Sequence, residues 1–165
     1  MSSDNTYRVG DKVVCGGFMY KIFKIDSSDD VIFFRPYFKS NKNSSTIRKI
    51  PRESLSQTTI REPISRKEIK DVVTFLKRNK VEKGFLDLNE AKEKLMSNNL
   101  FDAVRVLKWL WQDKQDDEKS FTFSKKRVYD MASERIVEEF AFVQDITLAE
   151  AEVIIGKHLK SSLKH

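Results

Sequence analysis

Residues 100–143 read LFDAVRVLKWLWQDKQDDEKSFTFSKKRVYDMASERIVEEFAFV, and this segment decides the fold. Its apolar pattern predicts two helices, Leu100–Gln115 and Ser124–Val143, joined by a polar link. In the first helix, one apolar stripe recurs at helical spacing: Leu100, Val104, Leu107 and Trp111. We expect that stripe to face a hydrophobic core, because an amphipathic helix buries its apolar side.

Two features of this segment lie outside the apolar stripe. At about 100° per residue, Trp109 falls almost opposite it, so this large ring needs either another helix or a binding partner. The cations Lys125, Lys126 and Arg127 begin the second helix, where the helix dipole is positive and each cation costs about 0.3–1 kcal/mol. We therefore expect an anion to bind at this helix start.

The charge balance permits a nucleic-acid partner without requiring one. The 165 residues hold 31 basic and 25 acidic side chains, which gives a net charge of +6 and a pI near 9.3. Residues 1–64 carry 11 basic and 7 acidic side chains (+4), and residues 65–165 carry 20 and 18 (+2). Because the surplus of basic over acidic side chains is small, the partner must be inferred from where the basic side chains cluster.

Several classes of protein are disfavoured. No apolar run approaches the ~20 residues of a membrane span, and the polar first residues lack a signal peptide's hydrophobic region. The single cysteine, Cys15, excludes an internal disulfide and suits a reducing compartment. We expect a cytoplasmic, monomeric protein with no membrane partner.

Residues suited to catalysis or metal binding are scarce. Neither His158 nor His165 has a Cys, Asp or Glu neighbour at a spacing that favours metal ligation. Five glycines cannot build a phosphate-binding loop, and the acidic run Asp116–Glu118 is more simply a solvated link than a chelator. We expect no enzyme activity, no metal site and no cofactor.

The first third of the chain has the pattern of a β domain, predicted over residues 1–62. Short runs rich in Val, Ile, Phe and Tyr alternate with turns, at residues 12–14, 18–25, 31–38 and 46–50. Such runs predict a small barrel of the SH3 or Tudor type.

The third run, Val31–Phe38, is predicted to dock a partner. Pro36 lacks an amide hydrogen, so the strand should be an edge or be bulged there. Strand alternation gives two opposite faces, Phe33, Arg35 and Tyr37 against Phe34 and Phe38. Apolar groups on both faces indicate either a fully buried strand or an exposed docking surface. The edge position favours docking, by addition of a partner strand.

Residues 63–165 predict a bundle of about five helices. Ser65 with Glu68, and Thr147 with Glu150, match the capping-box pattern at two helix starts. The fold class is therefore α+β, with a small N-terminal β-barrel followed by a C-terminal helical bundle.

Short motifs along the chain resemble the CarD/CdnL family of bacterial transcription regulators. Val9–Val14 is similar to that family's opening strand, and Ile47–Pro51 to the segment that closes its β domain. In the helical half, the resemblance lies in the order of Glu93–Leu95, Val104–Trp111, Phe123–Arg127 and Glu138–Ala141. The resemblance runs from about Tyr7 to Leu159.

This resemblance implies two partners, the RNA polymerase β subunit and promoter DNA. The family's Tudor-like domain docks on the β subunit. Its helical domain stabilises the open complex at the upstream edge of the melted DNA, without reading a long sequence. Lys49 takes the place of a basic residue in the family's docking strand, and the expected polymerase contact also includes Arg35, Tyr37 and Arg48.

The implied DNA contact centres on Lys126, which stands where the family has a basic phosphate contact, with Lys125 and Arg127 beside it. The family's DNA-wedging tryptophan has no counterpart here. Gly84 and Phe85 occupy its place, so Phe85 is the first wedge candidate, and a core residue is its alternative. The off-stripe Trp109 is the second candidate.

Two other functions stay open. A protein-interaction adaptor without DNA binding is supported by the small surplus of +2 in the helical half and by the acidic segment Asp113–Glu118. A helix-turn-helix repressor is disfavoured, because the link between the two helices of the opening segment exceeds that motif's 3–4-residue turn.

Overall fold

A computed structural model describes residues 7–39, 46–78, 84–85 and 87–164. They form two compact units, divided between Pro63 and Ile64. The first unit is an antiparallel sheet and the second consists of helices, which confirms the α+β class. Among the helices of the described ranges, none combines the length and apolar character needed to cross a membrane.

The β unit is a four-stranded meander in the order β1–β2–β3–β4. Its strands are β1 (Lys12–Cys15), β2 (Phe18–Asp26), β3 (Val31–Pro36) and β4 (Arg48–Pro51). A 3-10 helix, Arg52–Gln57, follows β4, and an antiparallel bridge then joins Arg61 to Val14 of β1. The chain thereby returns to the first strand and partly closes the sheet, as in a small barrel.

Hairpin geometry between β1 and β2 depends on Gly16 and Gly17. Both have positive φ, +59° and +88°, which a two-residue hairpin turn of this hand requires. The register that follows places one set of side chains inside the unit: Val13, Cys15, Tyr20, Ile22, Ile32, Phe34 and Leu55. β3 therefore buries one face only, so of the two alternatives for this strand, the fully buried one does not hold.

The prediction that β3 is an edge strand is wrong over Val31–Phe34, where β3 lies between β2 and β4. Pro36 is accommodated because β4 begins at Arg48, which pairs with Phe34, so Pro36 lies beyond the end of β4. The bulge is not at Pro36 either, since the register shift lies in β2 between Ile22 and Lys24.

Five α-helices lie in the described part of the helical unit, in agreement with the prediction of about five. They are α1 (Arg66–Lys77), α2 (Leu88–Met96), α3 (Leu100–Asp116), α4 (Phe123–Gln144) and α5 (Leu148–Ser161). Both capping boxes are confirmed, at Ser65 with Glu68 and at Thr147 with Glu150. The apolar stripe of α3 is buried as predicted, with Trp111, its most exposed member, only 8% exposed.

One charged residue, Lys108, is fully buried on α3. Its Nζ donates to the carbonyl oxygen of Leu76 at 2.6 Å. That carbonyl lies in the last turn of α1 and has no partner within its helix, so Lys108 caps α1 from a neighbouring helix. Burial lowers the pKa of Lys108 from 10.5 to about 8, because the charged form loses its hydration.

Replacing Lys108 with methionine should remove one source of pH-dependent stability. The unfolded chain binds this proton more tightly than the folded protein, so the parent gains stability as pH rises from about 8 to 10.5. The full gain is about 3 kcal/mol. In urea unfolding from pH 7 to 10, the stability of the parent relative to Lys108→Met should rise with pH. A constant difference would show that Lys108 is not desolvated.

Candidate nucleic-acid interface

The basic cluster lies at the start of α4, one residue later in the helix than its sequence pattern predicts. α4 begins at Phe123, and the Thr122 hydroxyl accepts a hydrogen bond from the Lys125 amide at 3.2 Å. Lys125 and Lys126 therefore lie in the first turn, and Arg127 follows it.

Carboxylates of the same unit already pair with two of the three cations. Lys125 Nζ lies 2.9 Å from Asp113 Oδ2 on α3, and Lys126 Nζ lies 2.9 Å from Asp130 Oδ2 on α4. The expected anion at this helix start is thus supplied internally for both lysines. Arg127 is exposed and has no ion pair among the described residues, which makes it the cation most available to an external phosphate.

An exposed aromatic, Phe123, adjoins the cluster and was missed by sequence reasoning. Its side chain is 76% exposed. Two further aromatic residues, Phe121 and Tyr129, are near Phe123 in the sequence. Their rings pack edge-to-face with centroids 6.4 Å apart, and Lys114 lies over the Phe121 ring. Thr122 was the available signal, because a threonine N-cap there makes Phe123 the first residue of the helix.

The two wedge candidates contact each other. Phe85 and Trp109 pack edge-to-face with centroids 5.3 Å apart, and Arg105 lies over the Phe85 ring at 5.3 Å. A methyl group built on Gly84 would overlap the indole of Trp109, so this ring lies directly on the glycine backbone. The off-stripe tryptophan therefore packs against the segment that precedes α2.

Burial distinguishes the two candidates. Phe85 is only 8% exposed, whereas Trp109 is partly exposed. To insert into DNA, Phe85 would have to break its contact with the Trp109 ring. Part of the Trp109 indole already faces solvent.

The aromatic pair and the basic cluster lie on the same side of α3. Arg105, Trp109 and Asp113 are spaced four residues apart, so they form one stripe with about 6 Å between successive positions. Arg105 contacts Phe85, Trp109 contacts Phe85 and Gly84, and Asp113 holds Lys125. One surface strip thus joins the wedge candidates to the start of α4.

In the β unit, the predicted polymerase contacts divide between the two faces of the sheet. Arg35 lies over the Phe23 ring at 4.6 Å and Lys49 over the Phe33 ring at 5.6 Å, so both lie on the outer face. Arg48 lies on the other face, where it contacts Cys15 Sγ at 3.5 Å and the Tyr20 ring at 5.3 Å. Burial raises the pKa of the Cys15 thiol, which is therefore an unreactive core residue.

Tyr37 follows β3 and lies outside both groups. Its ring is 39% exposed and packs edge-to-face on Phe38, with centroids 4.9 Å apart. Its amide donates to the Met19 carbonyl at 2.9 Å, which continues the β2–β3 pairing beyond Pro36.

Comparison with protein families matches residues 88–156 to CarD, C-terminal domain. The helical half of the chain is therefore similar to the C-terminal domain of CarD proteins. The match begins at the start of α2 and ends within α5, so it includes Trp109 and Lys125–Arg127, while Phe85 lies just before it. No curated protein matched the chain. The match relates the helical half of this chain to a family of transcription factors.

Gly84→Ala should destabilise the helical unit by about 1–3 kcal/mol, because the new methyl group must displace Trp109 or the segment before α2. Gly156→Ala is the matched control. It lies in α5 with open space around the new methyl, so it should stabilise by up to about 1 kcal/mol. Urea unfolding measures both, and near-ultraviolet circular dichroism reports the tryptophan environment. Equal effects of the two changes would contradict the Gly84–Trp109 contact.

Proposed function

We propose that this chain is a CarD family protein that binds the RNA polymerase β subunit through its β unit and stabilises the promoter open complex through its helical unit. The DNA contact is weakly sequence-specific. The observation that carries the proposal is the strip on α3, which joins the Phe85–Trp109 pair to the basic start of α4.

The DNA contact combines phosphate binding with an aromatic wedge. Arg127 and the free amides at the start of α4 bind backbone phosphates, and such contacts position a protein without reading sequence. Lys126 joins them by exchanging Asp130 for a phosphate, since an exposed ion pair contributes only about 0–1 kcal/mol. Trp109 or Phe85 then inserts at the edge of the melted region, where unstacked bases are accessible.

The polymerase contact uses the backbone edge of β4. β4 pairs with β3 on one side, which leaves the other edge as the candidate for a partner strand. Arg48 and Lys49 project to opposite faces of that edge. Near its start lie Arg35, on β3, and Tyr37, which follows β3. A partner strand would therefore meet cations above and below the sheet.

A second candidate, an adaptor that does not bind DNA, is favoured by one observation. The ion pairs Lys125–Asp113 and Lys126–Asp130 offset most of the charge at the start of α4. The two functions differ in whether Arg127 contacts DNA.

For the polymerase, Lys49→Glu should weaken capture of core polymerase and of an isolated β-lobe fragment by the full-length chain, because it reverses charge beside the β4 edge. Lys70→Glu, an exposed change on α1, should leave capture unchanged. Affinity measured by biolayer interferometry distinguishes them. Equal binding by the two variants would remove Lys49 from the contact.

For DNA, Arg127→Ala should lower the slope of log affinity against log salt by about 0.9, the value for one phosphate contact. Lys126→Ala should lower it by less, because this lysine must first leave Asp130. Lys70→Ala is the control that removes one exposed charge elsewhere. Fluorescence anisotropy with forked promoter DNA measures the slopes. Unchanged slopes for both cluster variants would favour the adaptor.

A further inference from the structure

The outer face of the sheet aligns three cations across three strands. Lys12 on β1 pairs with Lys21 on β2, and Lys21 pairs with Arg35 on β3. Directly opposed side chains in a sheet lie about 5 Å apart, and like charges at that distance destabilise the pairing. The row therefore opposes the stability of the β unit.

A second row lies next to the first and combines cations with aromatic rings. Lys24, Phe33 and Lys49 are paired across β2, β3 and β4. Lys24 Nζ lies 5.1 Å from the Phe33 ring centre, and the Phe23 ring packs edge-to-face on Phe33 at 6.1 Å. We call the two rows together the cationic face: Lys12, Lys21, Lys24, Arg35, Lys49, Phe23 and Phe33.

The charges of the cationic face are not neutralised within the part of the chain that the structure describes. None of its five cations has an ion pair there, in contrast to Lys125 and Lys126 at the start of α4. The nearest carboxylate along β2 is Asp26, whose Oδ1 accepts hydrogen bonds from the amide and hydroxyl of Ser28 at 3.0 and 2.7 Å. These hydrogen bonds lower the pKa of Asp26 more than the charge of Lys24 does.

We propose that the cationic face binds single-stranded nucleic acid, with phosphates on Lys21 and Lys24 and a base on the Phe33 ring. A positively charged surface with interleaved aromatic rings is the arrangement that takes a single strand without sequence preference. An acidic protein surface would satisfy the charges but would give Phe23 and Phe33 no role.

This site goes beyond the proposed function and is compatible with it. A partner strand on β4 bonds in the plane of the sheet, whereas the cationic face projects perpendicular to that plane. The polymerase and a single strand can therefore occupy the β unit together. Lys21 and Lys24 belong to neither the expected polymerase contact nor the α4 cluster, so they test this site alone.

The test measures binding of fluorescein-labelled 15-nucleotide oligothymidylate and oligouridylate to the full-length chain by anisotropy, across a range of salt concentrations. Lys21→Gln/Lys24→Gln should lower the salt slope by about 1.4, since each phosphate contact on a single strand contributes about 0.7. Lys70→Gln/Lys92→Gln removes the same charge from exposed positions on α1 and α2 and should leave the slope unchanged. The tighter of the two oligonucleotides identifies DNA or RNA as the natural ligand.

Phe33→Leu separates nucleic acid from an acidic protein. It keeps apolar volume but removes the ring, so affinity for the oligonucleotides should fall about tenfold. Affinity for polyglutamate of equal charge should not change. Equal binding of polyglutamate and oligonucleotide by the parent, or no effect of Phe33→Leu, would overturn the proposal.

The outcomes are distinguishable from those of the proposed function. Suppose that Lys21→Gln/Lys24→Gln and its control give the same salt slope on the oligonucleotides, while Arg127→Ala still lowers the slope on forked DNA. Then the proposal for the cationic face fails and the proposed function stands. Far-ultraviolet circular dichroism of every variant verifies that the fold is retained.

Discussion

Eight of the 17 residues of α3 are buried, and this helix contacts α1, α2 and α4. That burial constrains everything else in the helical unit. The apolar stripe places one side of α3 in the core. Lys108 is also buried and caps the end of α1 with a hydrogen bond. Only a narrow strip stays at the surface, and it carries Trp109 and Asp113. The proposed DNA contact depends on this strip, because it fixes where an aromatic ring and the α4 cations lie relative to each other.

Periodicity and capping patterns were sufficient to predict the helical unit from sequence. Spacing alone indicated which side of α3 is buried and that Trp109 lies off it. Sequence could not indicate what Trp109 contacts, because Gly84 is 25 positions away and its fit depends on the path of the segment before α2. The same limit applies to Asp113. Its pairing with Lys125 depends on how α3 and α4 are placed side by side, so the cluster was predicted to need an external anion.

In the β unit, the feature that could not be predicted from the sequence is the register of strand pairing. Pro36 correctly signalled a position without a β4 partner, because β4 begins at Arg48 opposite Phe34. The edge prediction is wrong only for Val31–Phe34, where β3 lies between β2 and β4. Arg48 and Lys49 are adjacent in sequence and were grouped together, yet strand alternation sends them to opposite faces. The opposed cations Lys12, Lys21 and Arg35 are visible only once the pairing of three strands is known.

The central claim is that the Trp109 strip contacts promoter DNA, and the fluorescence of this residue tests it most directly. In Trp111→Phe, Trp109 is the only tryptophan, so its emission reports that strip alone. Titration with forked promoter DNA labelled at a distant end follows binding by anisotropy in the same sample. The account predicts that Trp109 emission is quenched over the same concentrations at which the label's anisotropy rises. Full binding of the DNA with unchanged Trp109 emission would contradict it.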